Sequence, residues 1–285
     1  MQGKVRGAME KDVFTTPEDK DLLSAEKLKG IRITKWAGTE IFCYPVLDST
    51  NTKAKQLAEE GYPAGTLVVA EKQDAGRGRR GRNWESVEGA GIFMTLLLKP
   101  EINPNNASML TLVAALAVSG AITKCTGRPA GIKWPNDIVM NGKKVCGILT
   151  EMSAQVDYIN HVVVGIGINV HNEGFPEEIS HMATSLYLET GKHYERAVLI
   201  EEVLEQFEKY YEVFLETEDL TGLVKEYNSH LVNMRQHVRV LDPKEPFEGR
   251  AMGITPRGEL IVDTWESRRL VSAGEVSVRG TYGYV

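Results

Sequence analysis

The sequence predicts a layered α/β (α+β) domain followed by a small all-β unit, and three observations carry that prediction. From Ile31 onward, strand-like and helix-like segments alternate, the pattern of a sheet covered by helices. A long segment after Tyr194 spaces its apolar residues as one helical face. From about Gln236 the chain changes to short β-like runs separated by Pro or Gly turns, which suggests a separate barrel of about fifty residues. The expected organisation is a tail and linker turn over 1–29, a ligand-binding domain over 30–235 and the small β-barrel over 236–285.

Taken in order, the polar first stretch contains DLLSAEKLKG, one or two helical turns ending at Gly30 and too short for a helix-turn-helix unit. Ser49 or Thr50 is positioned to cap a helix through TKAKQLAEE, which Gly61 stops. TLVVAEK reads as a buried strand feeding an arginine-rich loop, and GIFMTLLLKP as a strand ended by Pro100. Asn103 to Thr126 reads as one apolar helix that Gly127 closes. Asn141-Gly142, between two apolar runs, is a hairpin signal, and HVVVGIGINV is another buried strand. In YERAVLIEEVLEQFEKYYEVFLE, Val198, Leu199, Val203, Leu204, Phe207, Tyr210, Tyr211 and Phe214 fall at helical spacing with Glu and Lys between them. The runs HVRVL, EGRAMGI, ELIVDT, RRLVSAG and EVSVR supply the strands of the small barrel.

Composition narrows the function. A chain of 285 residues has room for roughly two domains, and 42% hydrophobic with 25% charged residues describes a globular protein, neither disordered nor fibrous. Cys43, Cys125 and Cys146 are odd in number and share no CxxC spacing, which argues against a disulfide scaffold or thiolate metal site and fits a reducing cytoplasm. All three read as buried small apolar residues, and the six histidines show no metal spacing, so no protein metal site is expected. No run approaches ~18 uninterrupted apolar residues and the first 29 lack a signal-peptide pattern, so neither a membrane span nor export is expected. The net charge of −6 gives no general attraction for nucleic acid. Yet residues 72–82, KQDAGRGRRGR, hold five cations against Asp74, a +4 segment inside a remainder of −10. Positive charge concentrated in this way suits a compact anion.

That loop matches the dinucleotide fingerprint by letter at Gly76, Gly78 and Gly81, but no helix opens from the glycines, and no Lys-Ser/Thr follows for a Walker loop. What remains is a loop whose glycines allow close backbone approach and whose arginines offer planar bidentate donors for phosphate or carboxylate. A solvated turn or a basic tract for nucleic-acid phosphates are the competing readings. Trp84 behind the loop offers a flat face for an aromatic base, although a lone Trp is more often core. Lys133-Trp134-Pro135-Asn136-Asp137 sets a charge and amide groups around a proline-fixed turn, with a plain polar turn as the alternative. Lys143-Lys144 precede a glycine-containing strand, and either a pocket lysine or an exposed hairpin lysine fits. The glycines of GIGIN at Gly165 to Asn169 weaken a strand unless a backbone or ligand approaches closely. Asp48-Ser49-Thr50-Asn51 is either a helix cap or a cap with polar groups to spare for a ligand.

Together and in order, LDSTN, QDAGRGRRGRNW, KWPND, KKVCGIL and GIGINV resemble the biotin protein ligases over roughly Tyr44 to Asn169, and GEVSVR resembles the close of that family's C-terminal barrel. The resemblance implies a mixed-sheet catalytic domain of the biotin/lipoate ligase type with a small SH3-like β-barrel. It implies ATP-dependent formation of biotinyl-5′-AMP and transfer of biotin to one lysine of a biotin carboxyl carrier domain, with biotin and ATP as substrates. Mg²⁺ is implied as a helper at the pyrophosphate, without a dedicated protein cage.

By the same resemblance Arg77, Arg79 and Lys144 surround the biotin carboxylate and α-phosphate, with Arg79 and Lys144 catalytic. Ser49, Thr50, Asn51 and Gln73 hold the ureido head and nearby atoms, with Gly76, Gly78, Gly147 and Gly165 as backbone walls of the biotin slot. Trp84 becomes the adenine platform, Asn136 and Asn169 join the nucleotide site, and Lys133 and Asp137 position the acceptor or the phosphates. Lipoate-type acyl ligases are a weaker match, because GRGRRGRNW is the hallmark of the biotin enzymes. Members that double as repressors carry an N-terminal DNA-binding domain of about sixty residues; here only about thirty residues, without a recognition helix, precede the catalytic region, so specific DNA binding is not expected. A homodimer through the catalytic sheet is common in the family.

Overall fold

A computed structural model describes residues 21–242, 244–273, 277–280 and 284–285. Residues 1–20 of the expected tail and residues 274–276 of GEVSVR lie outside the described residues. The larger sheet is built from β1 (Ile41–Leu47), β2 (Leu67–Gln73), β3 (Gly91–Leu98), β4 (Gly131–Lys133), β5 (Asp137–Met140), β6 (Lys143–Ala154) and β7 (Ile159–Asn169). Their spatial order is β1-β2-β3-β7-β6-β5-β4. β1 and β2 run parallel and every other neighbouring pair antiparallel, so the sheet is mixed.

All eight residues of β3 are buried, because both faces of the sheet are covered. Side chains alternate between those faces. On one side Val68, Leu97 and Val163 pack with Ala54 and Leu57 of helix α2 (Thr50–Glu59), which crosses after α1 (Ala25–Ile31). On the other side Ile92, Met94, Leu96, Val162, Val164, Ile166 and Ile168 join the main core. That core also holds α3 (Leu110–Thr126) and, after the short α4 (Glu177–Ser180) and α5 (Leu186–Thr190), the long α6 (Arg196–Thr217). The stretch Pro104–Thr126 is long and apolar enough to cross a membrane, yet most of it is buried inside this core.

Local chemistry explains where the elements depart from expectation. The helix expected over Asn103 to Thr126 begins instead as a 3-10 turn, Pro104–Met109, capped by Asn103 Oδ1. Its PNNASM sequence favours local side-chain bonds over helix continuation, and the α-helix starts with the Leu/Ala run. Gly127 ends α3 in the left-handed region at φ 66°. Ser49 occupies the N-cap of α2 but makes no side-chain cap bond; Gln73 Oε1 accepts from the Thr50 backbone N–H at 2.8 Å instead. Asn141 and Gly142, at φ 47° and 78°, turn the predicted hairpin. Along α6 the predicted apolar face is buried except for Val198, which is 47% exposed near the helix start. Of the cysteines only Cys146 is fully buried, while Cys43 and Cys125 are half-buried.

Two acidic side chains fasten the segment before β1. Glu201 accepts from the backbone of Ile33 and Thr34, and Glu208 from Lys35, Trp36 and Ala37, satisfying donors that the sheet leaves unpaired. Arg196, 2% exposed, pairs with Glu71 at 2.6 Å and with Asp21 at 2.7 Å.

After α7 (Val224–His230) come β8 (His237–Leu241), β9 (Phe247–Ile254), β10 (Leu260–Asp263), β11 (Arg268–Val271) and β12 (Ser277–Gly280). They form the small antiparallel sheet in the order β11-β10-β9-β8-β12. Among the described residues β11 and β12 are not paired with each other, so the sheet does not close by hydrogen bonds. Trp134, 1% exposed, donates its indole N–H to Gly258 O at 3.0 Å and fastens this sheet to the larger one.

Candidate active site

The pleat that builds the core also builds the site. On β7 the isoleucines of GIGIN point into the main core, which leaves Gly165 and Gly167 on the α2 face. Across the sheet the register sets Phe93 beside Gly167 and Gly147, Thr95 beside Gly165 and Leu149, and Leu97 beside Val163 and Glu151. Toward one end of this face, side chains fill the space under α2; toward the other, glycines remove them and leave a floor. The resulting cleft, about 470 Å³ and open to solvent, is lined by Ser49, Thr50, Asn51, Gln73, Arg77, Gly78, Arg79, Trp84, Asn136, Lys144, Gly147 and Gly165.

Each glycine on the floor yields its space to a particular neighbour. A β-carbon at Gly165 would overlap Asn51 Oδ1, and one at Gly147 or Gly167 would stand 2.8 or 2.7 Å from the Trp84 indole. Gly165 therefore admits an asparagine, while the other two admit an aromatic ring. Asn51 is held from three directions: Thr95 donates its hydroxyl to Oδ1 at 2.7 Å, and Nδ2 donates to Glu151 at 2.8 Å and to Leu149 O at 3.2 Å. Lys55 pairs with Glu151 at 2.5 Å. Burial pushes the Glu151 carboxyl up, but the bonds from Lys55 and Asn51 outweigh it and hold it below the ordinary range. Gln73 Oε1 binds both the Thr50 N–H and, at 3.1 Å, its hydroxyl. These contacts fix polar groups along the wall before any ligand arrives.

The glycine loop is pinned at its neck, where Trp84 N–H donates to Gly76 O at 2.9 Å and Gly78 N–H to Arg82 O at 2.7 Å. Side-chain-free Gly76 is what allows this closure, since a β-carbon would stand 2.5 Å from Trp84 O. Arg80 takes the left-handed region at φ 60°, turning the loop so that Arg79 reaches inward. Arg79 donates to Asn136 Oδ1 at 2.8 Å and to the carbonyl of Ala273. Asn136 is itself fixed by donation to Ile148 O at 3.0 Å, beside the cis peptide Trp134–Pro135.

A second cleft, about 610 Å³, adjoins the first and shares Gly78, Arg79, Trp84, Asn136 and Lys144 with it. Around it stand Arg80, Arg82, Lys133 and Arg279 with, among the described residues, the single carboxylate of Asp137. Lys144 pairs with Asp137 Oδ1 at 2.6 Å, and its ammonium lies 5.3 Å from the Trp84 ring. Lys133, 3% exposed, is 4.0 Å from Asp137 Oδ2. Burial raises the Asp137 pKa, but the neighbouring Lys144 and Lys133 charges and the bonds from Lys144 and Tyr284 leave it below the usual carboxylate range. Burial lowers the Lys133 ammonium to about 7 in spite of Asp137, with Arg279, Lys144 and Arg82 adding repulsion.

Of the site residues that the resemblance implies, Lys133 and Asp137 line the second cleft and not the first, and Gly76 and Asn169 line neither. Gly76 shapes the loop neck, and Asn169 donates to Thr184 O at 3.0 Å beyond the floor. Gly167, flagged in the sequence only as one of the GIGIN glycines, lines the cleft, while Thr95, Glu151 and Lys55, which the sequence does not single out, hold its wall in place. The alternation of glycine with isoleucine in GIGIN is the signal that identifies Gly167, whereas Thr95 inside an apolar strand carries none.

The Biotin/lipoate A/B protein ligase family matches residues 43–169, and the Biotin protein ligase C terminal domain matches residues 236–279. A bifunctional ligase/repressor BirA of Bacillus subtilis is 40% identical over 247 residues, 86% of this chain and 76% of that protein. A biotin--[acetyl-CoA-carboxylase] ligase of Paracoccus denitrificans is 33% identical over 82% of this chain and 98% of its own length. Among solved structures, a biotin protein ligase from Aquifex aeolicus in complex with biotin and ATP superposes with a TM-score of 0.75 at 33% identity, covering 85% of this chain and all of that one.

Proposed function

The chain belongs to the biotin/lipoate A/B protein ligase family, and from the two adjoining clefts we infer that it is a biotin protein ligase. It uses ATP to make biotinyl-5′-AMP from biotin, then transfers biotin to a lysine of a biotin carboxyl carrier domain. The observation that carries this reading is the cationic seam of Arg79 and Lys144 between a glycine-floored cleft and a cleft rich in cations. That the Aquifex relative was solved with biotin and ATP together agrees with a site for two ligands.

The chemistry gives each residue type a reason. A carboxylate oxygen of biotin attacks the α-phosphorus of ATP and the bond to pyrophosphate breaks, so two anions must approach in line. Lys144, Arg79 and Arg77 offset their repulsion, and they do so best in a cleft that excludes water. Ser49, Thr50, Asn51 and Gln73 supply the fixed polar wall for the uncharged ureido head. Gly78, Gly147 and Gly165 wall the slot with backbone and leave it free of side chains, Trp84 offers a face to adenine, and Asn136 holds Arg79 in place. In the second half-reaction the carrier's lysine amine attacks the mixed anhydride, an amide forms, and AMP leaves. Keeping that anhydride under the arginine loop limits its hydrolysis.

Mg²⁺ fits this site as a companion of the nucleotide. Among the described residues no group of three or more His, Cys, Asp or Glu could hold an ion, and only Asp137 supplies a carboxylate to the second cleft. An ion carried by phosphate and water, neutralising the departing pyrophosphate, is what such a donor set suits.

A lipoate-type ligase is the neighbouring reading, and the relatives named for biotin favour the first. We also infer that the described chain has no operator specificity, since its cation cluster faces the clefts; a salt-dependent, sequence-specific complex with DNA would overturn this. Three free cysteines suit a reducing cytoplasm. To test the whole reaction, the protein is incubated with biotin, ATP and a purified carrier domain, and the carrier's mass is measured. Addition of one biotin to one lysine is expected; no addition with biotin, or addition only with lipoate, contradicts the assignment.

A further inference from the structure

A residue distant in sequence reaches three of the charged groups that line the second cleft. Tyr284, the penultimate residue, donates its hydroxyl to Asp137 Oδ2. The Lys133 ammonium lies 4.0 Å from the centroid of its ring, and the Arg279 guanidinium lies 4.9 Å from it. Val285 O returns against Gly280 at the end of β12, where a β-carbon would overlap it, so a glycine there is what lets the tail fold back.

These contacts have a common sense. With Lys144 on Oδ1 and Tyr284 on Oδ2, both oxygens of the Asp137 carboxylate are engaged. The electron-rich ring meets two of the cations that phosphate oxygens would otherwise neutralise. Lys133 is 3% exposed with the ring against its ammonium, so an anion approaching that ammonium meets the ring. The lowered Lys133 pKa agrees, because burial is its chief cause.

We propose that Tyr284, held in place by its bond to Asp137, is a positioning residue whose ring competes with the phosphates of ATP for Lys133 and Arg279, and so sets the apparent affinity for ATP. The proposal rests on the ligase reading of the clefts. A protein whose binding-competent state is only part of its population binds with an affinity reduced by that fraction, so releasing the tail strengthens binding of the nucleotide.

The test compares the full-length protein with Tyr284→Ala and Tyr284→Phe. Calorimetry with ATP and Mg²⁺ in the absence of biotin gives the nucleotide Kd directly. Biotin-dependent exchange of labelled pyrophosphate into ATP gives KM for ATP and KM for biotin separately. Tyr284→Ala is expected to tighten ATP binding about fivefold and to lower KM for ATP relative to KM for biotin. Tyr284→Phe, which keeps the ring and loses the bond to Asp137, falls between it and the parent. An ATP Kd that is unchanged or weaker in Tyr284→Ala overturns the proposal. Lack of any biotin-dependent exchange by the parent instead strikes the ligase reading, and the calorimetric comparison still decides the role of the tail.

Discussion

Trp84 lies flat against Gly167, so close that a β-carbon on the glycine would stand 2.7 Å from the indole. One strand position without a side chain thus decides whether the aromatic wall of the cleft can form. The same ring covers Gly147 on the next strand, and Gly147 and Gly167 are paired in register.

From that relationship, Gly167→Ala should weaken ligand binding by more than about tenfold, since the indole must shift by several tenths of an ångström in a site that depends on placement. The fold should survive, because the added methyl faces the cleft and not the main core. Calorimetric titration with biotin and ATP alongside thermal unfolding checks both halves. Unchanged affinity would mean that the ring is not part of the binding wall.

Lys144→Ala removes the cation that stands 2.6 Å from Asp137 and at the seam of the two clefts. Adenylate formation should slow by roughly a hundredfold or more, the scale seen when one preorganised stabilising group is deleted. Rapid-quench measurement of biotinyl-5′-AMP gives that rate without the transfer step. A rate within twofold of the parent would remove Lys144 from the chemistry.

The lowered Lys133 pKa, about 7, has a definite sign in binding. Below that pH the ammonium is already charged; above it the free protein must take up a proton to meet the phosphates, whose negative charge raises the pKa in the complex. Near pH 7.5 ATP binding should therefore absorb protons, and KM for ATP should rise as pH passes from 7 to 9. Calorimetry in buffers of different ionisation enthalpy measures the uptake. Net proton release would contradict this role for Lys133.

Arg196→Ala tests the frame and not the site. Its guanidinium is buried between Glu71 and Asp21 and also donates to Gly91 O at 3.0 Å. Removing it leaves Glu71, itself 6% exposed, without its cation, which should cost about 3–5 kcal/mol. Urea unfolding measures the loss; a change below about 1 kcal/mol would show that water or another cation reaches the carboxylates.

Much of this architecture was legible because hydrophobic period and turn chemistry agree along the chain. The β7 run, the Asn141-Gly142 hairpin and the apolar face of α6 all express packing that a single segment records. Ser49 was legible as a cap position, but the group that satisfies the helix N-terminus is Gln73, twenty-three residues away, and local sequence cannot show it. The arginine loop announced an anion through its charge alone. Thr95 and Tyr284 were illegible for a related reason: one lies inside an apolar strand and the other near the end of the chain, and only tertiary packing brings them to Asn51 and Asp137. The register across β3, β7 and β6 turned separate glycine signals into one floor.

Biotin-dependent exchange of labelled pyrophosphate into ATP tests the central claim most directly, because it isolates the step for which the seam of Arg79 and Lys144 is arranged. The purified protein should exchange label rapidly with biotin present and at background without it. Exchange supported by lipoate or octanoate but not by biotin, or no exchange with any of them, would contradict the account.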